Sequence, residues 1–315
     1  MSEGRVGVVI SAHCSSHNEG CAEGKVAGQI SPGDDVFDRP VRVGELLALL
    51  EPWVDGGGGA AAAPMDAAAA DQSGDPLSGL GESLTVVRSD RIAEDQELVA
   101  SGVTSRRYLQ FLRQRSRELQ KKQTVTDKWA DETADNSVEW AFLDTDDTTL
   151  VNATTEAAAR SAVGATLDAT EGVLAGRWRH AFVCARPPGH HNGCCELLEE
   201  IDEGGYVYAC HGGCVLNETA IAIRHAQAIV AAEGAAGPAA ARDARAPPAT
   251  KRRAAAASKR SPAAAAIPFG SGCKIAVVDI DVHFGDGTAL CFYDDPSVSL
   301  TTGCTATVLM PTLRL

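Results

Sequence analysis

The chain has 315 residues, with 42 acidic against 28 basic side chains and a formal net charge of −14. That length can bury a sizeable core, recurrent Val/Ile/Leu runs exclude a uniformly disordered chain, and no run approaches the roughly 20 apolar residues needed to cross a bilayer. Bulk acidity argues against a general nucleic-acid binder. The start, Met1-Ser2-Glu3-Gly4-Arg5, has no signal-peptide architecture, so the chain is expected to be intracellular, with its 10 Cys mostly reduced thiols or metal ligands.

In chain order, Val6-Gly7-Val8-Val9-Ile10 has the apolar, β-branched character of a buried parallel strand. His13, Cys14 and His17 follow it and read as ordinary loop residues. Residues 55–83, with four consecutive Gly, Ala blocks, Pro64 and Pro76, lack the periodicity of a packed element and read as a disordered insertion. Residues 104–120 predict an amphipathic helix with Tyr108, Leu109, Phe111 and Leu112 on its apolar face. Residues 155–174 predict an Ala-rich helix that packs closely on a sheet. Residues 181–185 predict a second buried strand, 217–227 another helix, and 275–280 a third strand. A second low-complexity insertion, 231–268, carries Lys251-Arg252-Arg253 and Lys259-Arg260. It reads as a solvated loop, with a nuclear address or polyanion patch as the alternative. Alternating strands and helices predict an α/β fold with an open, largely parallel sheet and helices on both faces. Ligands of such a sheet bind beyond the carboxyl ends of the strands.

Two strand ends carry the chemistry. The third strand runs into Asp279-Ile280-Asp281-Val282-His283-Phe284-Gly285-Asp286-Gly287-Thr288. Period-two alternation sends Asp279, Asp281 and His283 to one side, where two carboxylates repel each other unless a cation joins them. Asp281 and His283 offer one oxygen and one nitrogen to a zinc ion. Asp279 and Asp286 then remain to orient neighbouring imidazoles. The second strand runs into Arg186-Pro187-Pro188-Gly189-His190-His191. The two prolines stiffen this loop and Gly189 permits a close backbone approach. Adjacent histidines with different carboxylate partners hold different protonation states, which suits acid–base work on water.

These two blocks, with the continuation Phe292-Tyr293-Asp294-Asp295-Pro296-Ser297-Val298, resemble the zinc-dependent histone deacetylase family of the arginase/deacetylase fold. The spacing from Asp147-Thr148 to His191 is most similar to its class II members. Gly213-Cys214-Val215-Leu216-Asn217 resembles a further family block, and 38–43 and 103–109 are weakly similar. The resemblance implies that Asp281 and His283 bind Zn²⁺, that His190 pairs with Asp279 and His191 with Asp286, and that these four are catalytic. One histidine would take a proton from the zinc-bound water and the other would pass a proton to the leaving amine. It also implies substrate-binding positions at Asp147 and Gly189 and a K⁺ ion near Asp279. The expected reaction is hydrolysis of N-ε-acetyl-lysine in an acetylated protein or histone tail. The expected setting is chromatin regulation in the nucleus or cytoplasm, with corepressor-type partners.

Four features depart from the family pattern. The family's third zinc ligand, an Asp, and its oxyanion-stabilising Tyr come from later blocks than Leu315, so the domain is expected to be C-terminally incomplete. Gly213 stands where the family has a tunnel Phe. The 20 residues between His191 and Gly212 include Cys194, Cys195, Cys210 and His211. With Cys214 these form a possible second zinc set, against buried or free thiols as the plainer reading. Phe284 replaces a frequent His. Two other readings stand beside the deacetylase: a non-catalytic scaffold using the basic tract, and an arginase-like ureohydrolase. The latter needs a further carboxylate at position 285, which is Gly.

Overall fold

The structure, a computed structural model, describes residues 6–14, 46–48, 50, 54, 84–129, 140–143, 149–193, 211–240 and 273–302. In chain order the elements are β1 (Val6–Ser11), β2 (Leu84–Ser89), α1 (Asp95–Ala100), α2 (Arg106–Trp129), β3 (Trp140–Phe142), β4 (Leu150–Asn152), α3 (Thr155–Leu174), β5 (His180–Cys184), α4 (Glu218–Ala240), β6 (Ile275–Asp279), α5 (Asp286–Phe292) and β7 (Val298–Thr302).

Three parallel strands stand in the order β2-β1-β5. Val8 pairs with Val86 on one side and Phe182 on the other. Alternation gives this sheet two apolar faces. Val8, Ile10, Val86 and Cys184 pack with Leu46, Leu47 and Leu50, which lie in a short helical stretch. On the opposite face Val9, Val87, Ala181 and Val183 meet Ala165 and Ala169 of α3. The small side chains of α3 let it sit close to the sheet. Trp178 closes that face: a Cβ at Gly7 or at Gly172 would lie 2.3 or 2.2 Å from its ring. The largest core cluster joins α2, α3 and α4, with Tyr108, Leu112, Val163, Leu167 and Ile221 among its fully buried members.

β6 and β7 form a separate parallel pair, with Asp279 opposite Thr302. Among the described residues no strand pairs with the free edge of β5 or of β6. This corrects the expectation that all three predicted strands are buried on both faces. β1 is, whereas β6, and β5 as far as Val183, alternate between half-covered and exposed positions. Phe182 is exposed, as are Val278, Ile280 and Val282 at 71%, 92% and 69%.

Two boundaries also differ. β6 ends at Asp279, so Asp281 and His283 lie in the bend beyond the strand and not in its alternation. Helix α4 continues to Ala240, through the first ten residues of the supposed insertion 231–268. Ala is the best helix former, so an Ala-rich tract directly after a helix prolongs it. Residues 232–234 are exposed. The remainder of that insertion, 55–83 and Asp147 lie outside the described residues.

Candidate metal and acid–base site

The site forms where the loop after β5 meets the bend after β6. The β5 loop is anchored at both ends. The Arg186 guanidinium donates to the Cys14 carbonyl at 2.9 Å, tying the loop to the end of β1. The Arg186–Pro187 peptide is cis. Further along, the Val215 N–H donates to the Pro188 carbonyl and the Thr288 N–H to the His190 carbonyl, both at 3.0 Å. Asn217 holds the three parts together. Its side-chain oxygen accepts from the Ala220 N–H at 2.9 Å and so caps α4. Its amide donates to the Asn192 carbonyl and to Thr288 Oγ1, each at 3.0 Å.

Two imidazole–carboxylate pairs result. His190 Nδ1 lies 2.9 Å from Asp279 Oδ2, and His191 Nδ1 lies 2.6 Å from Asp286 Oδ1. The ring centroids are 4.1 Å apart. An ionised carboxylate only accepts, so Nδ1 of each ring carries the hydrogen and Nε2 of a neutral ring keeps its lone pair. Gly285 is required at this junction: a Cβ there would stand 2.5 Å from Asp279 Oδ2 and 3.2 Å from His190 Nδ1.

The bend 279–283 is built from the same side chains. Asp279 Oδ1 accepts from the Asp281 N–H at 3.0 Å, and Asp281 Oδ1 accepts from the His283 N–H at 2.8 Å. Carboxylates that bond the backbone two residues on make a turn in place of a strand, which is why β6 stops where it does. His283 Nδ1 and Asp281 Oδ1 face each other at 2.9 Å. Two ligands of a tetrahedral zinc, each about 2.0–2.1 Å from the ion, stand roughly 3.3 Å apart. The pair therefore fits as two neighbouring ligands of such an ion, an oxygen and a nitrogen. Burial pushes the Asp281 carboxyl up, but the His283 backbone and ring hydrogen bonds outweigh it and hold it below the ordinary range.

A pocket of about 470 Å³ opens beside these groups, lined by Gly189, His190, Glu218, Asp279, Asp281 and Thr288 among others. Glu218 was not anticipated. Its Oε2 is shut off from solvent and has no hydrogen-bond partner among the described residues. Burial, with Asp279 adding to it, pushes its carboxyl up to about 7. The capping pattern Asn217-x-x-Ala220 before an apolar run was legible in sequence; the isolation of Glu218 was not, since it depends on the loop of Gly189 passing over it. A Cβ at Gly189 would lie 2.1 Å from Glu218 Oε2.

Of the possible second zinc set, only His211 and Cys214 are among the described residues. Cys214 is buried, and its sulfur accepts from the His191 N–H at 3.4 Å. His211 Nε2 instead reaches Asp286 Oδ2 at 2.9 Å. Cys194, Cys195, Cys210 and His17 lie outside the described residues. Cys14 is buried beneath Arg186 and His13 is exposed. No contact among the described residues supports the K⁺ ion expected near Asp279.

Known proteins resemble the chain in sequence and in fold. A model of the histone deacetylase domain matches residues 72–233 and 263–302. Histone deacetylase 4 of Caenorhabditis elegans is 30% identical over 152 residues, which are 48% of this chain and 12% of that protein. Histone deacetylase 8 of Arabidopsis thaliana is 28% identical over 141 residues, 45% of this chain and 23% of that protein. The human polyamine deacetylase HDAC10 is 29% identical over 140 residues, 44% and 13% of the two chains. The crystal structure of the HDA15 HD domain superposes with a TM-score of 0.52 at 18% identity, covering 94% of this chain and 53% of that one. The chain thus spans about half of that solved domain and a smaller part of the curated relatives. Its fold is the α/β fold of the deacetylases, and the chain belongs to the histone deacetylase domain family.

Proposed function

We propose that the site serves zinc-dependent hydrolysis of N-ε-acetyl-lysine to lysine and acetate. The observation that supports this best is the convergence of two imidazole–carboxylate pairs on a facing His283–Asp281 pair, all from two strand ends. A Zn²⁺ held by Asp281 and His283 would supply polarisation of the amide carbonyl and acidification of water. The rest falls to the protein's own side chains. Asp279 and Asp286 fix the two rings with Nδ1–H inward, so each Nε2 is available to move a proton. One ring takes the proton of the attacking water, and the other delivers one to the departing amine. Each carboxylate stabilises its ring when that ring becomes cationic. Asp147 is proposed to hold the substrate backbone, and Gly189 to let the acyl-lysine approach.

The proposal extends to an acetylated protein or histone tail as substrate and corepressor-type proteins as partners, in the nucleus or cytoplasm. The basic tract around Lys251 supports a nuclear address. Family membership supports amide hydrolysis more strongly than it supports any particular acyl-amine, because some relatives are named for polyamines.

The test is turnover of an acetyl-lysine peptide by the purified chain. Turnover is expected to stop on chelation, to return with Zn²⁺, and to be blocked by a hydroxamate. Binding of zinc, followed by dialysis and metal analysis, gives an independent reading: Asp281→Asn and His283→Ala are each expected to lose an ion that the unaltered chain holds.

A further inference from the structure

His211 has no place in the mechanism above, yet it is built into the site. Its Nε2 bonds the second oxygen of Asp286, the carboxylate whose first oxygen bonds His191. Its ring stacks on the His191 ring, with centroids 4.3 Å apart and planes inclined by 29°. The following turn makes this possible. Gly212 and Gly213 have φ of 61° and 82°, values that side chains other than Gly rarely adopt. A Cβ at Gly212 would stand 2.6 Å from the His191 ring. The backbone therefore folds His211 back over His191 in a way that another residue at 212 would prevent.

We infer that His191, His211 and Asp286 form a second binding site for a divalent transition metal, distinct from the His283–Asp281 pair. The three residues offer ligand atoms that all lie within 4.8 Å of one another. Two imidazole nitrogens and one carboxylate oxygen are a donor set for zinc, nickel or copper(II). A tetrahedral ion wants its ligands roughly 3.3 Å apart, so the set must contract. The side chains of His211 and Asp286, 41% and 40% exposed, have room to do so, while His191 at 9% is the fixed member. That exposure also leaves the site open to ions from solution.

Occupancy has a chemical consequence. A neutral imidazole whose Nδ1 is bound to a metal carries its hydrogen on Nε2. His191 in that state has no lone pair to accept a proton, and Asp286 no longer orients it. An ion here would therefore suppress the acid–base chemistry. This consequence rests on the deacetylase reading; the binding of the ion does not.

The experiment is a Co²⁺ titration of the full chain, followed by visible absorption, for the unaltered protein, His211→Ala and Asp286→Asn. The unaltered protein is expected to bind one ion that both variants bind at least about tenfold more weakly, the lower end of what loss of even an indirect metal partner costs. Equal cobalt capacity and affinity in all three proteins would overturn the inference. In a parallel turnover assay, zinc beyond the activating amount is expected to inhibit the unaltered protein, and His211→Ala is expected to need at least tenfold more. A chain that binds the ion through His211 but shows no turnover sinks the deacetylase proposal and leaves the metal site standing.

Discussion

At the scale of single residues the site is a set of carboxylates, each with a defined duty. Asp279 and Asp281 shape the bend while they orient the rings, and Asp286 holds two imidazoles at once. Burial raises the Asp286 carboxyl, but the hydrogen bonds from His191 and His211 prevail and keep it below the usual range. Glu218 is the opposite case, pushed up to about 7 from an ordinary 4.5 because burial, with Asp279 adding to it, outweighs the hydrogen bond from its own backbone. A carboxyl whose folded pKa is raised binds its proton more tightly when folded, so its contribution to stability is full below about pH 4.5 and is lost as the pH rises through about 7. Glu218→Gln removes that loss. Thermal melts are expected to show the variant gaining on the unaltered chain between pH 5 and pH 8, with no gain if the carboxyl titrates normally. The Asp-x-Asp-Val-His and Pro-Pro-Gly-His-His blocks were legible because local spacing puts their chemistry within a few residues. The pairing of His211 with Asp286 and the isolation of Glu218 were not, because their neighbours come from 75 residues on and from a loop folded over them.

At the scale of elements, helix α3 was readable to the residue, 155–174, because its small side chains recur at helical spacing between clear ends. Strand and helix ends set by side-chain turns or bare propensity were not: β6 gives way to the Asp279–Asp281 turns, and α4 runs on through alanines. Packing of α3 also depends on a buried charge that no periodicity reveals. Arg160 donates to the Ala93 carbonyl at 2.9 Å, to Asp95 at 2.7 Å and to Glu156 at 2.9 Å, fixing the connection between β2 and α1 on the helix. Burial works against Asp95 ionising, but bonds from Arg113 and Arg160 keep its carboxyl low. Arg160→Met leaves the Ala93 carbonyl without its donor, whereas Arg113 still serves both acids. The expected cost is about 2 kcal/mol, read as a lower urea midpoint with an unchanged slope. A midpoint equal to that of the unaltered chain would show that the network contributes nothing to stability.

At the scale of the whole molecule, two small parallel sheets are held in register by loops and helices, with strand edges on β5 and β6 that nothing pairs among the described residues. The sequence pattern marks 275–280 as apolar throughout; exposure of Val278 on β6, and of Ile280 and Val282 just beyond it, depends on how that face is covered and could not be read from composition. An exposed apolar row favours dye binding and self-association. Val278→Lys with Ile280→Lys is expected to lower ANS fluorescence and the apparent mass in solution; unchanged values would mean that the row is covered. The proposed function requires the two strand ends to act as one hydrolytic centre. Its most direct test is the rate at which zinc-loaded unaltered and His191→Ala chains release acetate from an acetyl-lysine peptide. The prediction is zinc-dependent release that falls by about 10²–10⁴ in the variant, the usual worth of a positioned proton-transfer group. Release that survives in His191→Ala, or that is indifferent to zinc, would contradict it.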